Sequence, residues 1–359
     1  MHDRSPMPGC RKKVTAFLFS TVMLVALVTA INLFFSLAGY NAPTLHRHRE
    51  NVFGYDLFGY TLRPGAVDAN EQGYREGKPT ILPPHRSFQL GLMFGDSMVY
   101  GWGVPEPACL PSVIERLSAG RGDVLEIINL GVPATSQFHH LLRCRNEADV
   151  IEKSSFSIIC ICPNDPLEDS KLDLAIQARE KTPALFRTMM EIRTKSATWW
   201  WLSERISILT CLHMRELERA RQEQQAIEER LLAAPYEVLA APFETNLRTL
   251  IHILRDDFSH QLMAVVTVTW PFIDRDRTAL FPYESGFRDA VFNLLDEEGV
   301  AVVDVMHDCF APLLASTTAP TPADLFMDQL HYTELGYDVV GNRCAELLAH
   351  TRFPDQEGF

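Results

Sequence analysis

The sequence SFQLGLMFGDS, residues 87–97, is a short apolar run that ends in a tight turn. Pro83 and Pro84 precede the run and Gly95 follows it, which is typical of a buried strand. The side chain that follows such a turn lies at the carboxyl edge of a sheet, where open α/β folds bind their ligands. We therefore expect Ser97 to lie at the mouth of a cleft.

Two more apolar runs of strand length follow, at residues 124–130 and 156–162. The first ends at Gly131 and the second ends just before Asn164. A glycine lets its main-chain N–H approach a ligand oxygen, and an asparagine offers an uncharged amide donor. Each strand end therefore provides one candidate donor to an oxyanion.

A candidate base lies near the C-terminus, where Asp328 precedes His331 by three positions and a helical pattern follows at 333–350. Residues three apart on a helical turn share a face, so Asp328 can accept one imidazole N–H. The other ring nitrogen is then free to take a proton from Ser97, as a serine nucleophile requires. These residues together predict acyl transfer.

Strands and helices alternate along the rest of the domain. Further strands are predicted at 261–269 and 300–305, with helices at 243–258 and 286–298. Such alternation predicts an α/β fold with a parallel sheet that is covered on both faces.

In these residues the chain resembles the SGNH (GDSL-type) hydrolase superfamily, over residues 85 to 350. Ser97 matches the block I serine, Gly131 the block II glycine, Asn164 the block III asparagine, and Asp328 with His331 the block V Asp-x-x-His. The resemblance implies a three-layer α/β/α sandwich with a flavodoxin-like parallel five-stranded sheet in the order 2-1-3-4-5. It also implies that Ser97, Asp328 and His331 are catalytic and that the oxyanion hole consists of the Ser97 and Gly131 amides and the Asn164 side chain. Such a site needs no metal and no organic cofactor.

Two positions depart from the superfamily pattern: Met98 replaces a leucine, which conserves volume, and Cys162 replaces the block III glycine. Residues 94–104, together with residues 129–133, resemble an exported, membrane-anchored bacterial branch of the superfamily. Members of this branch have an Asn-x-x-Gly-x-Arg pattern ahead of the serine, which here corresponds to Asn70, Gly73 and Arg75.

The N-terminus contains a candidate membrane segment, because residues 14–38 are free of charged side chains. A helix of this length can cross a hydrocarbon layer of about 30 Å. Four basic residues precede it and favour a cytoplasmic N-terminus: Arg4, Arg11, Lys12 and Lys13. We expect a retained single-pass anchor in the inner (cytoplasmic) membrane, in contact with the lipid bilayer, and a catalytic domain on the periplasmic or extracellular side. The alternative is a signal peptide that is cleaved after the small residues at 36–38.

The predicted organisation has five parts: a cytoplasmic N-terminus (1–13), a transmembrane signal anchor (14–38), a membrane-proximal segment (39–85), the catalytic domain (86–351) and a C-terminal tail (352–359). The membrane-proximal segment is either a stalk or a segment wrapped onto the domain. A helical insertion at 166–241 interrupts the domain and is either a lid over the cleft or a solvated hairpin. Within it, Trp199–Trp201 would point in different directions on a helix, so we expect at least one of them to pack into the core and favour core packing over stacking on a ligand.

The net charge of −13 disfavours nucleic acid and anionic lipid as partners. Seven cysteines follow the anchor, an odd number with no spacing typical of a zinc site. We expect most of them to be small buried side chains and leave a disulfide among them open.

The sequence therefore predicts a serine-dependent ester hydrolase that acts on an envelope or extracellular acylated substrate, either a small molecule or an O-acylated polysaccharide. One alternative is an O-acyltransferase that uses the same residues. Another is a non-catalytic envelope protein that binds polysaccharide or an assembly partner. The sequence leaves the oligomeric state open.

Overall fold

The computed structural model of the chain describes residues 53–56, 59–62, 69–70, 73–75, 89–122, 124–181, 222, 225–274, 278–316 and 320–350, with four more positions at 23, 27, 29 and 30. The chain divides into two compact units, residues 1–48 with 179–223 and residues 49–178 with 224–359. The second unit contains most of the described residues, and it contains the sheet and the site.

The sheet of this unit has five parallel strands, and a separate hairpin of two antiparallel strands precedes it. The hairpin strands are β1 (Phe53–Asp56) and β2 (Gly59–Leu62). The sheet strands are β3 (Gln89–Phe94), β4 (Leu125–Asn129), β5 (Phe156–Ile161), β6 (Gln261–Val266) and β7 (Ala301–Asp304). Their spatial order is β4-β3-β5-β6-β7, which confirms the order 2-1-3-4-5 for the five strands of the sheet.

Helices connect these strands. They are α1 (Ser97–Tyr100), α2 (Leu110–Ala119), α3 (Gln137–Asn146), α4 (Ala148–Ile151), α5 (Asp165–Lys181), α6 (Tyr236–His252), α7 (Trp270–Ile273), α8 (Glu284–Glu297), α9 (Ala311–Leu314), α10 (Pro322–Leu325) and α11 (Glu334–His350). Two π-helical turns, Ile253–Asp257 and Val305–Phe310, follow α6 and β7.

The sheet is buried on both faces because successive side chains of a strand point to opposite sides. In β3, Leu92 and Phe94 lie in one hydrophobic core, and Met93 lies in the other. The first core includes buried side chains of α6 and α8, and the second includes those of α2 and α11. The fold is therefore an α/β/α sandwich with a parallel sheet, as predicted.

Two predicted boundaries differ from the structure. The helix predicted at 243–258 begins at Tyr236, so that Pro242 lies inside it, and the buried Tyr236 and Leu239 belong to the core. The strand predicted at 261–269 ends at Val266. Beyond it, the N–H groups of Val268 and Thr269 bind the Tyr332 hydroxyl and the Glu284 carboxylate instead of a neighbouring strand.

The segment ahead of the domain contains structure that its sequence did not predict. The hairpin of β1 and β2 lies in the stretch 39–85 that was predicted as a stalk or a wrapped segment. Further along, Tyr74 and Arg75 are buried, 5% and 6% exposed. At these two residues the segment packs onto the catalytic domain.

Several predictions lie mainly or wholly outside the described residues. Of the predicted anchor 14–38, only positions 23, 27, 29 and 30 are described, and they are helical. Within the described part of the chain, no helix is both long enough and apolar enough to cross a bilayer. Trp199–Trp201 and most of the insertion are not described. Six described cysteines are buried and free: Cys109, Cys144, Cys160, Cys162, Cys309 and Cys344.

Candidate active site

The turn between β3 and α1 presents the predicted nucleophile. A Cβ on Gly95 would lie 2.3 Å from Cγ2 of Val99, so only a glycine allows the strand to turn this closely into the helix. Asp96 caps α1, since its Oδ1 accepts the Met98 N–H at 2.9 Å. Ser97 is the first residue of α1, at the carboxyl edge of the sheet.

The predicted base reaches this serine across 234 positions of sequence. His331 Nε2 lies 2.9 Å from Ser97 Oγ, and His331 Nδ1 lies 2.7 Å from Asp328 Oδ2. A carboxylate accepts only, so Nδ1 carries the hydrogen and Nε2 is left as an acceptor for the serine hydroxyl. The structure thus brings Ser97, His331 and Asp328 into one hydrogen-bonded chain.

The carboxylate of Asp328 is held in its charged form. Partial burial raises its pKa, but hydrogen bonds from the N–H and the side chain of His331 and from the Leu330 N–H outweigh burial and lower the pKa of Asp328. Both main-chain donors bind Oδ1 at 2.7 Å. Asp328 therefore stays ionised at pH values where an ordinary aspartate begins to take up protons.

The loop that carries His331 is anchored on both sides. The Met327 N–H donates to the His331 carbonyl at 3.0 Å, and the Trp270 N–H donates to the Gln329 carbonyl at 3.0 Å. The Tyr332 hydroxyl bonds the N–H and the carbonyl of Val268, both at 3.1 Å. These contacts fix the base to the chain just beyond the end of β6.

Two of the three predicted oxyanion donors keep an N–H that no other described residue accepts. Among the residues that the structure describes, the Ser97 N–H has no acceptor. Asn164 donates through Nδ2 to Asp96 Oδ2 at 2.9 Å, which uses one of its two amide hydrogens and leaves the other. Asn164 is thereby held beside the residue that precedes the nucleophile.

Gly131, the third predicted donor, packs against α1, and its N–H already has an acceptor. Its N–H donates to Asn129 Oδ1 at 2.9 Å, and a Cβ here would lie 2.2 Å from the Tyr100 nitrogen. An oxyanion could receive this N–H only by sharing it with Asn129. The position needs a glycine because two stretches of main chain meet there.

Asp96 is a functional residue whose connections the sequence did not reveal. Its Oδ1 also accepts from Cys162 Sγ at 3.2 Å, and its Oδ2 binds Asn164. Burial raises the pKa of Cys162 well above its ordinary value, so the thiol stays protonated and donates. The Gly-Asp-Ser motif marked Asp96, but nothing in the spacing indicated that donors from the end of β5 converge on it.

Trp102 also flanks the site without having been predicted as a site residue. Its ring centroid lies 6.2 Å from that of His331, and the side chain is half-buried. Met327, 39% exposed, packs on Gly103 next to it. The Gly-Trp-Gly sequence shortly after the nucleophile was the feature from which this aromatic residue beside the site could have been predicted.

Two buried carboxyl groups lie behind the site. Asp165 Oδ2 accepts from the Cys162 N–H and from Gln137 Nε2, both at 2.9 Å. Asp169 Oδ1 accepts from Ser136 Oγ at 2.5 Å and from the Phe138 N–H at 3.1 Å. Burial raises the pKa of Asp169 to about 6, and burial together with the charge of Asp96 raises that of Asp165 well above its ordinary value. These acids connect the start of α5 to the start of α3.

Comparisons with known proteins give the following matches. No protein with a curated description matches the chain. Among solved structures, a lipase/acylhydrolase from Enterococcus faecalis is 16% identical, with 76% of this chain and 100% of that chain covered and a TM-score of 0.43. A member of the lipolytic protein G-D-S-L family from Veillonella parvula is 14% identical, with 73% and 100% covered and a TM-score of 0.42. Axe2, an acetylxylan esterase from Geobacillus stearothermophilus, is 13% identical, with 75% and 97% covered and a TM-score of 0.42.

The family assignment rests on the match to a family model. The model of the GDSL-like lipase/acylhydrolase family matches residues 93–339, which is more than half of the chain and includes every site residue described above. The chain therefore belongs to the GDSL-like lipase/acylhydrolase family of ester-bond hydrolases.

Proposed function

We propose that the protein is a serine-dependent ester hydrolase in which Ser97 is the nucleophile, His331 the general base and Asp328 the residue that orients the imidazole. The observation that supports this most directly is the chain of hydrogen bonds from Ser97 Oγ through both ring nitrogens of His331 to Asp328. A serine hydroxyl becomes nucleophilic when such a base takes its proton.

In the proposed reaction, Ser97 Oγ bonds to the acyl carbon while its proton passes to His331 Nε2. The Ser97 N–H and the Asn164 side chain stabilise the oxyanion, with the Gly131 N–H as a donor shared with Asn129. His331 then protonates the alcohol oxygen as the ester C–O bond breaks. Water attacks the acyl-enzyme with the same base, which releases the carboxylic acid and restores Ser97.

The proposed substrate is an acylated neutral molecule, such as an O-acylated polysaccharide. Trp102 and Met327 provide apolar surface beside His331, and an indole ring can pack on the apolar face of a sugar. The net charge of −13 disfavours polyanionic substrates.

The proposal also places the catalytic domain outside the cytoplasmic membrane, tethered by residues 14–38. Its support is the uncharged run with a basic flank, and the more than half-exposed apolar side chains of Met23 and Leu27. Full-length protein should stay in the membrane fraction after an alkaline carbonate wash, and protease added to intact spheroplasts should digest the catalytic domain. Recovery of a shortened chain without detergent would instead indicate cleavage near Ala38.

The test of the chemistry compares Ser97→Ala with the parent on a soluble short-chain acyl ester. Hydrolysis should fall to background in Ser97→Ala, while Ser112→Ala, which removes a hydroxyl bonded to Glu106, should keep the parent rate. Free carboxylic acid is the expected product. Undiminished hydrolysis by Ser97→Ala would refute Ser97 as the nucleophile. Transfer of the acyl group to an added sugar, without release of the free acid, would show that the protein is an acyltransferase and not a hydrolase.

A further inference from the structure

Arg75 lies outside the region that matches the family, 18 positions before it begins. It belongs to the segment ahead of the catalytic domain, yet its side chain is among the most buried of the charged groups, at 6% exposed. A buried guanidinium needs partners that offset its desolvation. The groups that bind the Arg75 guanidinium therefore indicate its role.

Among the described residues, the hydrogen-bond partners of Arg75 are all main-chain carbonyls at the end of the nucleophile helix and in the turn after it. Nη1 donates to the carbonyls of Tyr100 and Gly101, the latter at 2.6 Å, and Nη2 donates to that of Val104 at 2.7 Å. Its guanidinium carbon lies 4.0 Å from the centroid of the Tyr100 ring. Within the described part of the chain, no carboxylate pairs with it. The charge is therefore held by the carboxyl end of α1 and the turn after it.

The turn that carries these carbonyls is hydrogen-bonded to the nucleophile through its N–H groups. Gly101 ends α1 in the left-handed region, at φ 74°, and its N–H donates to the Ser97 carbonyl at 3.0 Å. The Trp102 N–H donates to the same carbonyl at 2.9 Å. Arg75 thus binds one side of a tight turn whose other side is bonded to Ser97. A helix of four residues has too few internal hydrogen bonds to fix its own orientation.

We propose that Arg75 is a positioning residue that fixes α1 and the Gly101 turn, so that Ser97 Oγ stays within proton-transfer distance of His331. This inference rests on the proposed role of Ser97 as the nucleophile. The positive charge suits the site because the carboxyl end of a helix carries partial negative charge. The planar guanidinium also presents several donors in fixed directions, which a lysine ammonium does not.

The test measures the rate constant at which excess fluorophosphonate modifies Ser97 in the full-length protein. Permanently misfolded protein lowers the extent of modification and not this rate constant, and the unfolding midpoint of each variant shows that the rest is folded under the assay conditions. Arg75→Met keeps the apolar stem and removes the donors, and we expect it to slow modification about 10- to 100-fold, since a displacement of roughly 1 Å can cost this much. The modification rate constant of Arg75→Lys should lie between those of Arg75→Met and the parent. Because Arg75 binds the main chain, kcat should fall for a soluble ester while KM stays within about threefold of the parent value.

Arg288→Met is the matched control. Arg288 is also a buried arginine, 4% exposed, that donates to a main-chain carbonyl, that of Thr267 at 3.0 Å, and lies over the rings of Phe272 and Phe292. It also pairs with Asp304. We expect Arg288→Met to lower the unfolding temperature and to leave the modification rate constant of Ser97 within about threefold of the parent.

The outcomes separate this inference from the proposed function. Modification of Arg75→Met at the parent rate, or equal slowing by Arg75→Met and Arg288→Met, would overturn the positioning role. Undiminished modification of a Ser97→Ala variant would instead overturn the proposed nucleophile. If Arg75→Met yields no folded protein, Arg75→Lys decides by the same rate constant: slowing supports the role and parent-like modification contradicts it.

Discussion

The two oxygens of Asp328 have different tasks. Oδ2 binds the imidazole at 2.7 Å, and Oδ1 binds two main-chain N–H groups that shape the loop, those of Leu330 and His331. Half of the Asp328 side chain is exposed, so solvent screens its charge. Its contribution is therefore to orient the ring as well as to stabilise the imidazolium.

Asp328→Asn separates these tasks. Its amide oxygen can keep the bonds of Oδ1, but its NH₂ group would face His331 Nδ1 and favour the tautomer with the hydrogen on Nε2. We expect kcat for a soluble ester to fall by about 10²-fold with an unchanged unfolding midpoint. Asp328→Ala should lose a similar factor and also destabilise the loop. A parent-like kcat in Asp328→Asn would show that the carboxylate does not orient the base.

The raised pKa of Asp169 leads to a prediction of how the free energy of unfolding depends on pH. Burial raises its pKa to about 6 in the folded state, whereas the unfolded chain has an ordinary aspartate. The folded state therefore binds more protons between about pH 4 and pH 6, and this group destabilises the fold as pH rises through that window. The penalty above pH 6 is on the order of 3 kcal/mol.

Asp169→Asn should remove this penalty, since its amide oxygen can still accept from Ser136 and Phe138. The free energy of unfolding in urea, measured from pH 4 to pH 8, should be higher for the variant at pH 7 and converge with the parent toward pH 4. Parallel curves for the two proteins would contradict the raised pKa.

At the scale of single residues, the sequence predicted the side chains whose chemistry is specific. A serine just after a strand-ending glycine and a histidine three residues after an aspartate are each common by chance, but their order and spacing across one domain predicted the site. The partners of Asp96 and Arg75 were not predicted, because they come from the end of β5 and from main-chain carbonyls beyond α1. Every residue has a main-chain carbonyl, so a sequence does not show which carbonyls accept a hydrogen bond.

At the scale of elements, α1 depends on its neighbours because it is only four residues long. Asp96 caps its start, Arg75 binds its end, and Gly131 packs on its main chain. Asn129 adds a bond from Nδ2 to the Val99 carbonyl at 2.9 Å. The nucleophile helix is thus held by its own cap and by contacts from two other parts of the chain, Arg75 and residues 129–131.

Gly131→Ala tests this packing. A Cβ would lie 2.2 Å from the Tyr100 nitrogen and 2.6 Å from the Val99 carbonyl carbon, so α1 must shift. We expect kcat to fall by about 10²-fold, as for a displacement near 1 Å. The control is Gly286→Ala in α8, where a Cβ would make an ordinary 3.5 Å contact and should stabilise the helix by about 0.5–1 kcal/mol. A fully active Gly131→Ala variant would show that α1 tolerates displacement.

The strands and most helices of the sheet were predictable because apolar runs and helical periodicity follow directly from burial. The start of α6 was not, because Pro242 lies inside the helix and interrupts its pattern. The hairpin of β1 and β2 was not predicted either, since its strands have only four residues each.

At the scale of the whole molecule, the compact unit that contains the site begins before residue 86, the predicted start of the catalytic domain. Residues 49–178 and 224–359 form one compact unit, and Arg75 connects its first part to the nucleophile turn. The predicted membrane-proximal segment is therefore part of the catalytic unit at Tyr74 and Arg75. The sequence did not predict this earlier boundary, because the segment 39–85 has little hydrophobic periodicity.

Three truncated chains test this boundary. A chain of residues 49–359 should hydrolyse a soluble ester with the kcat of the full-length protein, and 69–359 should do so nearly as well because it keeps Arg75. For a chain of residues 86–359, which lacks Arg75, kcat should fall about tenfold or more. Full activity of the 86–359 chain would contradict the extended unit.

The central claim is that Ser97 and His331 act together as nucleophile and base. Its most direct measurement is the fluorophosphonate adduct, located by mass spectrometry, with its rate of formation in the parent and in His331→Ala. We predict an adduct on Ser97 and formation slowed by about 10²- to 10⁴-fold in His331→Ala. An adduct on another residue, or one that forms equally fast without His331, would contradict the account.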